Sequence, residues 1–582
     1  MDNKKNIRRF LKIVFKKNKL VACLAFSIML IVSILELLIP QLTRMILDDA
    51  IRYGKINLLI KLILIYVVVS ISSALFDISL EYIYSKMKKS VGINLKIKLL
   101  KHLSKLSGNY YTNIKTGNIL NIIQKDTYNV ENFGADILFS LIVDTVTAVT
   151  ALFFLIKMQF DLLILVIALQ LLIIVSQAKF TKIIARKTGE VRNDAGNISN
   201  VVQEYVSNIM NIVISKSSFR FFKKYINKEK NLIKKCINLD LIISINMGIA
   251  SILSSLITIF IYGYGGFEII KGNMTIGELV AFQQYTNMLI GPSIRIIRSN
   301  TRIQQSAVSI NRIFSILDEP ITISQNNKGC RYIDDFNGNI KFNKVRFSYE
   351  EDAKAIDNIN MEFEKGKTVA LVGSSGCGKS TIGNLLFRLW DVDDGNITID
   401  NIPLKNYNLK NIRNNISIVT QDLLLFDDTI FNNLTLGNKN INIKDVECVC
   451  KKVGIYEFIC NLPNGFKTIV GEKGVKLSGG QKQRISIARS LLSNAKIIIF
   501  DEATSALDNL SQKDILENIK YYLKNKTTIL IAHRLSTIQD ADIIYVLDDG
   551  KIIEKGNHEE LIQNQKYYYS FFNEQRLEHN IV

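Results

Sequence analysis

Up to about residue 300 the chain alternates long apolar runs with polar stretches. Past residue 335 the apolar positions recur every second residue or in short bursts. The first texture predicts helices that cross a bilayer, which takes roughly 20 residues of helix. The runs fall at 20–46, 58–84, 133–157, 160–180, 240–264 and 276–298. Short connectors join the first run to the second, the third to the fourth and the fifth to the sixth, whereas 85–132 and 181–239 are long, polar and helix-favouring. Ahead of the first run, Ile7, Phe10, Leu11, Val14 and Phe15 alternate with basic residues, as in an amphipathic helix on a membrane surface. No cleaved signal peptide is expected, because the first run is too long and has no small-residue cleavage site after it.

The second texture begins with "IKFNKVRFSY" at 340–349, which alternates like a half-buried strand. Short apolar strands follow, each leading into a glycine or polar turn and then a helical pattern. That order marks an α/β domain on a mostly parallel sheet. The expected architecture is an α-helical six-span membrane domain followed by an α/β domain that carries the strand–turn–helix stretch "LVGSSGCGKST" at 371–381, hence an α/β P-loop ATPase domain. The expected bounds are an amphipathic elbow at 1–19, the membrane domain at 20–305, a connector at 306–337 and the nucleotide-binding domain at 338–582.

Composition agrees with two unlike halves, since 48% of the 582 residues are hydrophobic while 22% are charged. Lysine and arginine exceed aspartate and glutamate by 73 − 53 = +20. The excess crowds the N-terminus and the stretches 86–105 and 216–235, each beside an apolar run. Basic loops in that position follow the positive-inside rule and argue against a nucleic-acid partner. They place the N-terminus and the second half in the cytoplasm. The seven cysteines form no C-x-x-C pair, which fits reduced thiols. Abundant Lys, Asn and Ile suggest a bacterial source, hence the plasma membrane.

The chemistry begins at "LVGSSGCGKST", 371–381. Gly373, Ser374, Ser375, Gly376, Cys377, Gly378, Lys379, Ser380 and Thr381 fit a phosphate-cradling turn between a strand and a helix. Glycines let successive backbone N–H groups face the phosphates, Lys379 reaches the β- and γ-phosphates, and the Ser380 hydroxyl suits Mg²⁺. In "KIIIFDEATSALD", 496–508, an apolar strand ends in Asp501, placed to hold the Mg²⁺ shell, and Glu502, placed to take a proton from attacking water. His533 follows another buried strand and faces the same crevice, where it would sense the γ-phosphate. ATP and Mg²⁺ are therefore the expected cofactors.

A second glycine-rich loop, Ser478, Gly479, Gly480 and Gln481 in "KLSGGQKQR", opens onto another helix. One nucleotide needs one cradle. The second anion site is best explained by a second copy of the domain, whose ATP it completes.

Taken together, these residues resemble an ATP-binding-cassette exporter half-transporter over roughly 5–575. The resemblance makes "LSGGQ" the signature motif contributed in trans and implies a dimer, with an identical or a related chain. It also implies that Tyr349 stacks on adenine, that Gln421 in "IVTQD" links Mg²⁺ to the membrane domain, and that Asp508 closes the D-loop "SALD". "TIVGEKG" at 468–474 is similar to the exporter cross-loop. "YYTNIKTGNILNIIQKD" at 110–126 is similar to the first intracellular loop, with Ile122 where many relatives carry arginine. The second loop's counterpart lies near 207–221.

Expected function is ATP-driven export of an amphipathic small molecule, peptide or lipid by alternating access. Glu36, Asp77 and Asp144 are ionisable groups in the apolar runs, and such groups need a reason to be there. As cavity acids they would favour a cationic or amphipathic cargo; the alternative for each is buried interhelical hydrogen bonding. The sixth run, with Glu278, Gln283, Gln284 and Asn287, is the most polar and the expected cavity wall. The alternatives are an ATP-gated channel or regulatory ATPase on the same scaffold. Chromosome-maintenance ATPases share the two loops but carry coiled coils instead of membrane runs.

Overall fold

The computed structural model describes residues 2–17, 19–114, 116–133, 138–323, 336–350, 353–421, 423–501, 509–531 and 538–580. The chain divides into two compact units, one of residues 1–104 and 115–319, the other of 105–114 and 320–582.

The first unit is helical. Its principal elements are α1 (Asp2–Lys17), α2 (Lys19–Met45) and α3 (Ile56–Leu103); a short α4 (Gly108–Asn113) belongs to the second unit. Then come α5 (Leu138–Met158), α6 (Phe160–Ser207), α7 (Ile209–Ile214), α8 (Ser218–Ile270) and α9 (Ile276–Leu317). The second, fourth, fifth and sixth apolar runs are thus portions of longer helices, whereas the first and third match α2 and α5 in extent. The polar stretches after the second run and either side of residue 207 carry no proline, so α3 and α6 run well past their apolar portions before ending at Leu103 and Ser207. Five described helices are long and apolar enough to cross a membrane. The sixth expected run lies in α9, whose 42 residues exceed a span but mix apolar with polar side chains. It continues to Leu317, through residues the sequence reading gave to the connector.

Leu20, Val68, Ile78 and Ile252 are more than 60% exposed on this unit, a surface suited to lipid rather than water. Inside, Leu155, Val166, Ile173, Ile261 and Phe282 pack as one core. Tyr285 stacks on Phe154 at 4.9 Å and donates its hydroxyl to the Leu37 carbonyl, binding α9 to α5 and α2. At the far end of α2 the helix widens into a π turn, Ile46–Ile51. Asp48 there accepts from the Thr275 hydroxyl and the Gly277 N–H, while Arg44 pairs with Glu278 at 2.7 Å. An acid thus caps the N-terminus of α9, where the helix dipole favours it.

The second unit is built on two sheets. Strands β1 (Ile340–Glu350), β2 (Ala353–Phe363), β4 (Asp394–Ile399) and β5 (Ile402–Pro403) form an antiparallel sheet in the order β2-β1-β4-β5. The larger sheet runs β10-β9-β3-β8-β7-β6, from β3 (Thr368–Gly373), β6 (Ile416–Val419), β7 (Ile497–Asp501), β8 (Thr527–Ile531), β9 (Ile543–Asp548) and β10 (Lys551–Gly556). All its pairings are parallel except the β9–β10 edge.

Alternation decides what covers each face. Val369, Leu371, Ile497, Ile499, Tyr545 and Leu547 point into one core, which also holds Ile382 and Leu386 of α10 (Lys379–Leu386). Their neighbours Ala370, Val372, Ile498, Phe500, Ile544 and Val546 point into another. That second core holds Val446 and Val449 of α11 (Ile443–Lys452) and Ile485, Ile487 and Ala488 of α12 (Gly479–Leu492). The period-two pattern of buried strands places α10 and α12 on opposite faces of one sheet.

Candidate active site

At the end of β3 the chain makes the turn "GSSGCGKS", and its glycines are required by packing. Gly373 has φ 151°, and a Cβ there would lie 2.0 Å from the Leu547 carbonyl oxygen. Gly378, at φ 101°, would place one 2.5 Å from the Ala355 oxygen. Only glycine allows this curl. Ser374, Ser375, Gly376 and Ser380 are exposed at the loop's mouth, whereas Cys377, Gly378, Lys379 and Thr381 are buried. The Lys379 ammonium donates to the carbonyls of Gly373 at 2.9 Å and Ser374 at 2.7 Å, and lies 3.6 Å from Cys377 Sγ. The cation is held inside the loop, at the N-terminus of α10.

Sheet register brings the other expected groups to the same edge. Leu371 pairs with Ile531, and Ile531 with Asp501, so the ends of β3, β8 and β7 are level. Val419 pairs with Phe500, which sets Gln421 just past the end of β6, next to β7. Gln421 is exposed and Asp501 half-buried. Glu502, Asp508 and His533 lie outside the described residues; Glu502 directly follows β7, and His533 comes two residues after β8 ends.

Tyr349 projects from β1 with its ring edge-on to Trp390 at 5.2 Å, and its hydroxyl donates to Thr381 Oγ1 at 3.3 Å. Sequence reasoning missed Trp390, the chain's single tryptophan. The Gly108 N–H, at the start of α4, donates to the Leu389 carbonyl at 2.9 Å, and a Cβ on Gly108 would fall 2.3 Å from the indole ring. Thus residues 105–114, expected as part of an intracellular loop, sit on the ring that backs Tyr349. No local sequence signal tied Gly108 to Trp390, because the contact spans nearly three hundred residues.

Ser478 caps α12 in a capping box: its hydroxyl accepts from the Gln481 N–H at 3.3 Å, and Gln481 Oε1 accepts from the Ser478 N–H at 2.9 Å. Ser478 and Gly479 are exposed. Arg489, also unforeseen, anchors the other end of α12. It donates to the carbonyls of Asn433 at 2.8 Å and Leu424 at 2.9 Å, three residues past Gln421. Burial holds its guanidinium below its ordinary range. Because α12 runs into β7, its N-terminus lies toward the same sheet edge as the phosphate turn, but on the opposite face.

In the membrane unit, Asp144 is buried and accepts from Arg295 Nε at 2.9 Å and Nη2 at 2.6 Å. Of the two readings of Asp144, cavity acid or interhelical bond, the structure shows the second: a buried carboxylate survives in an apolar setting when a guanidinium compensates it. Glu36 lies within electrostatic reach of both Asp77 and Arg295.

A chain that joins membrane-length apolar helices to a P-loop sheet with a second glycine loop is a membrane ATPase. Residues 22–293 match the family model for the ABC transporter transmembrane region, and residues 356–505 that of the ABC transporter. The chain is 32% identical to the ATP-dependent lipid A-core flippase of Idiomarina loihiensis over 91% of this chain and 90% of that one. It is 31% identical to a putative multidrug export ATP-binding/permease protein of Bacillus subtilis, over 93% and 95%. A solved bacterial Atm1-family ABC exporter with ATP bound superposes with a TM-score of 0.84 at 26% identity, covering 96% and 98%. The chain belongs to the ABC transporter family. It is an exporter half-transporter, a multi-pass membrane protein whose ATPase is coupled to transport and whose fold implies dimerisation.

Proposed function

We propose that two such chains, identical or closely related, export an amphipathic molecule, peptide or lipid across a bacterial plasma membrane by alternating access. The carrying observation is that α10 and α12 cover opposite faces of one sheet while both N-termini look to the same edge. The Ser478 loop therefore has no phosphate of its own to close on, and a second domain facing that edge supplies one. In this reading ATP lies on the turn Gly373–Thr381, its adenine on Tyr349, its γ-phosphate finished by Ser478, Gly479, Gly480 and Gln481 of the other chain, with Asp508 bracing the contact.

The oxygen donors Ser380, Gln421 and Asp501 are the hard ligands that Mg²⁺ prefers, and register supports their convergence at one edge. Bound there, Mg²⁺ would neutralise developing phosphate charge. Glu502 takes the proton of the attacking water, and His533 holds the γ-phosphate position until it departs.

Closure of the pair must reach the membrane helices. The Gly108–Trp390–Tyr349 contact supports a route from nucleotide to α4 and, through the chain, to α3. Helix α7 offers a second docking element, since Ile209, Met210, Val213 and Ile214 are all exposed and apolar. The names of the relatives, a lipid A-core flippase and a putative multidrug exporter, support the amphipathic cargo.

Replacing the base tests this reading. Glu502→Gln should retain ATP binding but lose hydrolysis by about 10²- to 10⁴-fold, the usual contribution of a general base. Turnover at the unmodified rate would remove Glu502 from the mechanism.

A further inference from the structure

Helix α1 divides its side chains by charge. Phe10 and Val14 are buried, with Phe10 against Phe133 at 6.1 Å between ring centroids. Lys5, Arg8 and Lys12, at i, i+3 and i+7, form one exposed stripe on the opposite face. Together with Arg9 they bound an open groove of about 460 Å³. Arg9 is already committed. It holds Asp318 through two hydrogen bonds of 2.6 and 2.7 Å and lies 4.3 Å over the Phe314 ring. Asn6 adds a 2.9 Å bond to Asn311. Asp318 is correspondingly held below the usual carboxylate range, first by the Arg9 hydrogen bond. Among the described residues, no acid forms an ion pair with Arg8 or Lys12.

We propose that Lys5, Arg8 and Lys12 bind the phosphate of an anionic phospholipid, and that Arg9 couples occupancy of this site to the last turn of α9. The choice of a lipid rests on position and charge. One residue separates α1 from the apolar helix α2, so the stripe lies at the headgroup level of the leaflet α2 enters. Basic side chains at that level attract anionic headgroups over zwitterionic ones. The coupling rests on Arg9, which shares the groove and grips Asp318, the residue after α9. Chain direction then carries the restraint toward the ATPase unit, which begins at Pro320. This goes beyond export itself, and only its ATPase arm depends on the exporter reading.

The test uses the full chain in lipid nanodiscs of phosphatidylcholine, with or without phosphatidylglycerol. Photoactivatable phosphatidylglycerol should crosslink within residues 5–12 in preference to photoactivatable phosphatidylcholine. The double substitution Arg8→Gln/Lys12→Gln should weaken that preference by about fivefold per charge removed, whereas Arg8→Lys/Lys12→Arg retains it. Phosphatidylglycerol should also stimulate ATP hydrolysis, and Asp318→Asn should abolish the stimulation while leaving the crosslink in place. Equal crosslinking of both lipids, or a preference unchanged in the glutamine variant, overturns the site. Suppression of the crosslink by inorganic phosphate assigns it to a free anion and overturns the lipid. Undiminished stimulation in Asp318→Asn overturns the coupling alone. Loss of ATPase in every lipid with the crosslink intact counts against the exporter reading, not the lipid site.

Discussion

Single residues show how narrowly the ATPase chemistry is framed. Gly373 and Gly378 are read from a motif, and the structure supplies the reason: a side chain at either would strike a backbone carbonyl. Lys379 is legible for the same reason, since the spacing that makes the turn also delivers the cation. Cys450 was not legible. It is one of seven cysteines in sequence, yet burial pushes its thiol up to about 12. The consequence has a sign. A thiol whose ionisation is suppressed only in the folded state contributes stability below the ordinary thiol pKa of about 8.5 and loses it as pH rises toward 12. Iodoacetamide at mildly alkaline pH should therefore label the exposed Cys448 and Cys460 and spare Cys450 until the domain unfolds. Equal labelling of all three in the folded protein would contradict the burial of that site.

At the scale of elements, periodicity was a reliable guide to type and a poor one to length. Apolar runs marked where helices cross lipid but not where they stop, because hydropathy changes at the membrane boundary while helix propensity does not. α8 therefore extends for 53 residues although only its C-terminal half reads as a span. Contacts distant in sequence were equally hidden. Nothing near Asp144 announces Arg295, and nothing near Gly108 announces Trp390. The second of these carries a prediction. Gly108→Ala places a methyl against the indole, so α4 must shift from its seat. Basal ATPase should persist, while stimulation by transported substrate should fall several-fold, read in liposomes from paired hydrolysis and uptake rates. Trp390→Ala should lower that stimulation too and, because the ring backs Tyr349, also raise the ATP concentration needed for half-maximal hydrolysis. Full stimulation in both variants would detach this contact from coupling.

In the proposed mechanism the whole molecule rests on a division of labour that one chain cannot complete. Its sheet carries a phosphate turn on one face and a capped glycine loop on the other, and the proposal gives the second to the ATP of a partner chain. Mixed dimers separate this from any arrangement in which a chain serves itself. Lys379→Ala disables every phosphate turn it belongs to, and Ser478→Arg every signature loop, so either homodimer should hydrolyse ATP only at background. Paired through two affinity tags, the two variants leave one site whole: the turn of the Ser478→Arg chain closed by the loop of the Lys379→Ala chain. The account predicts that this mixed dimer hydrolyses ATP well above both parents. Hydrolysis no faster than the parents, in a dimer shown to be intact, would contradict it.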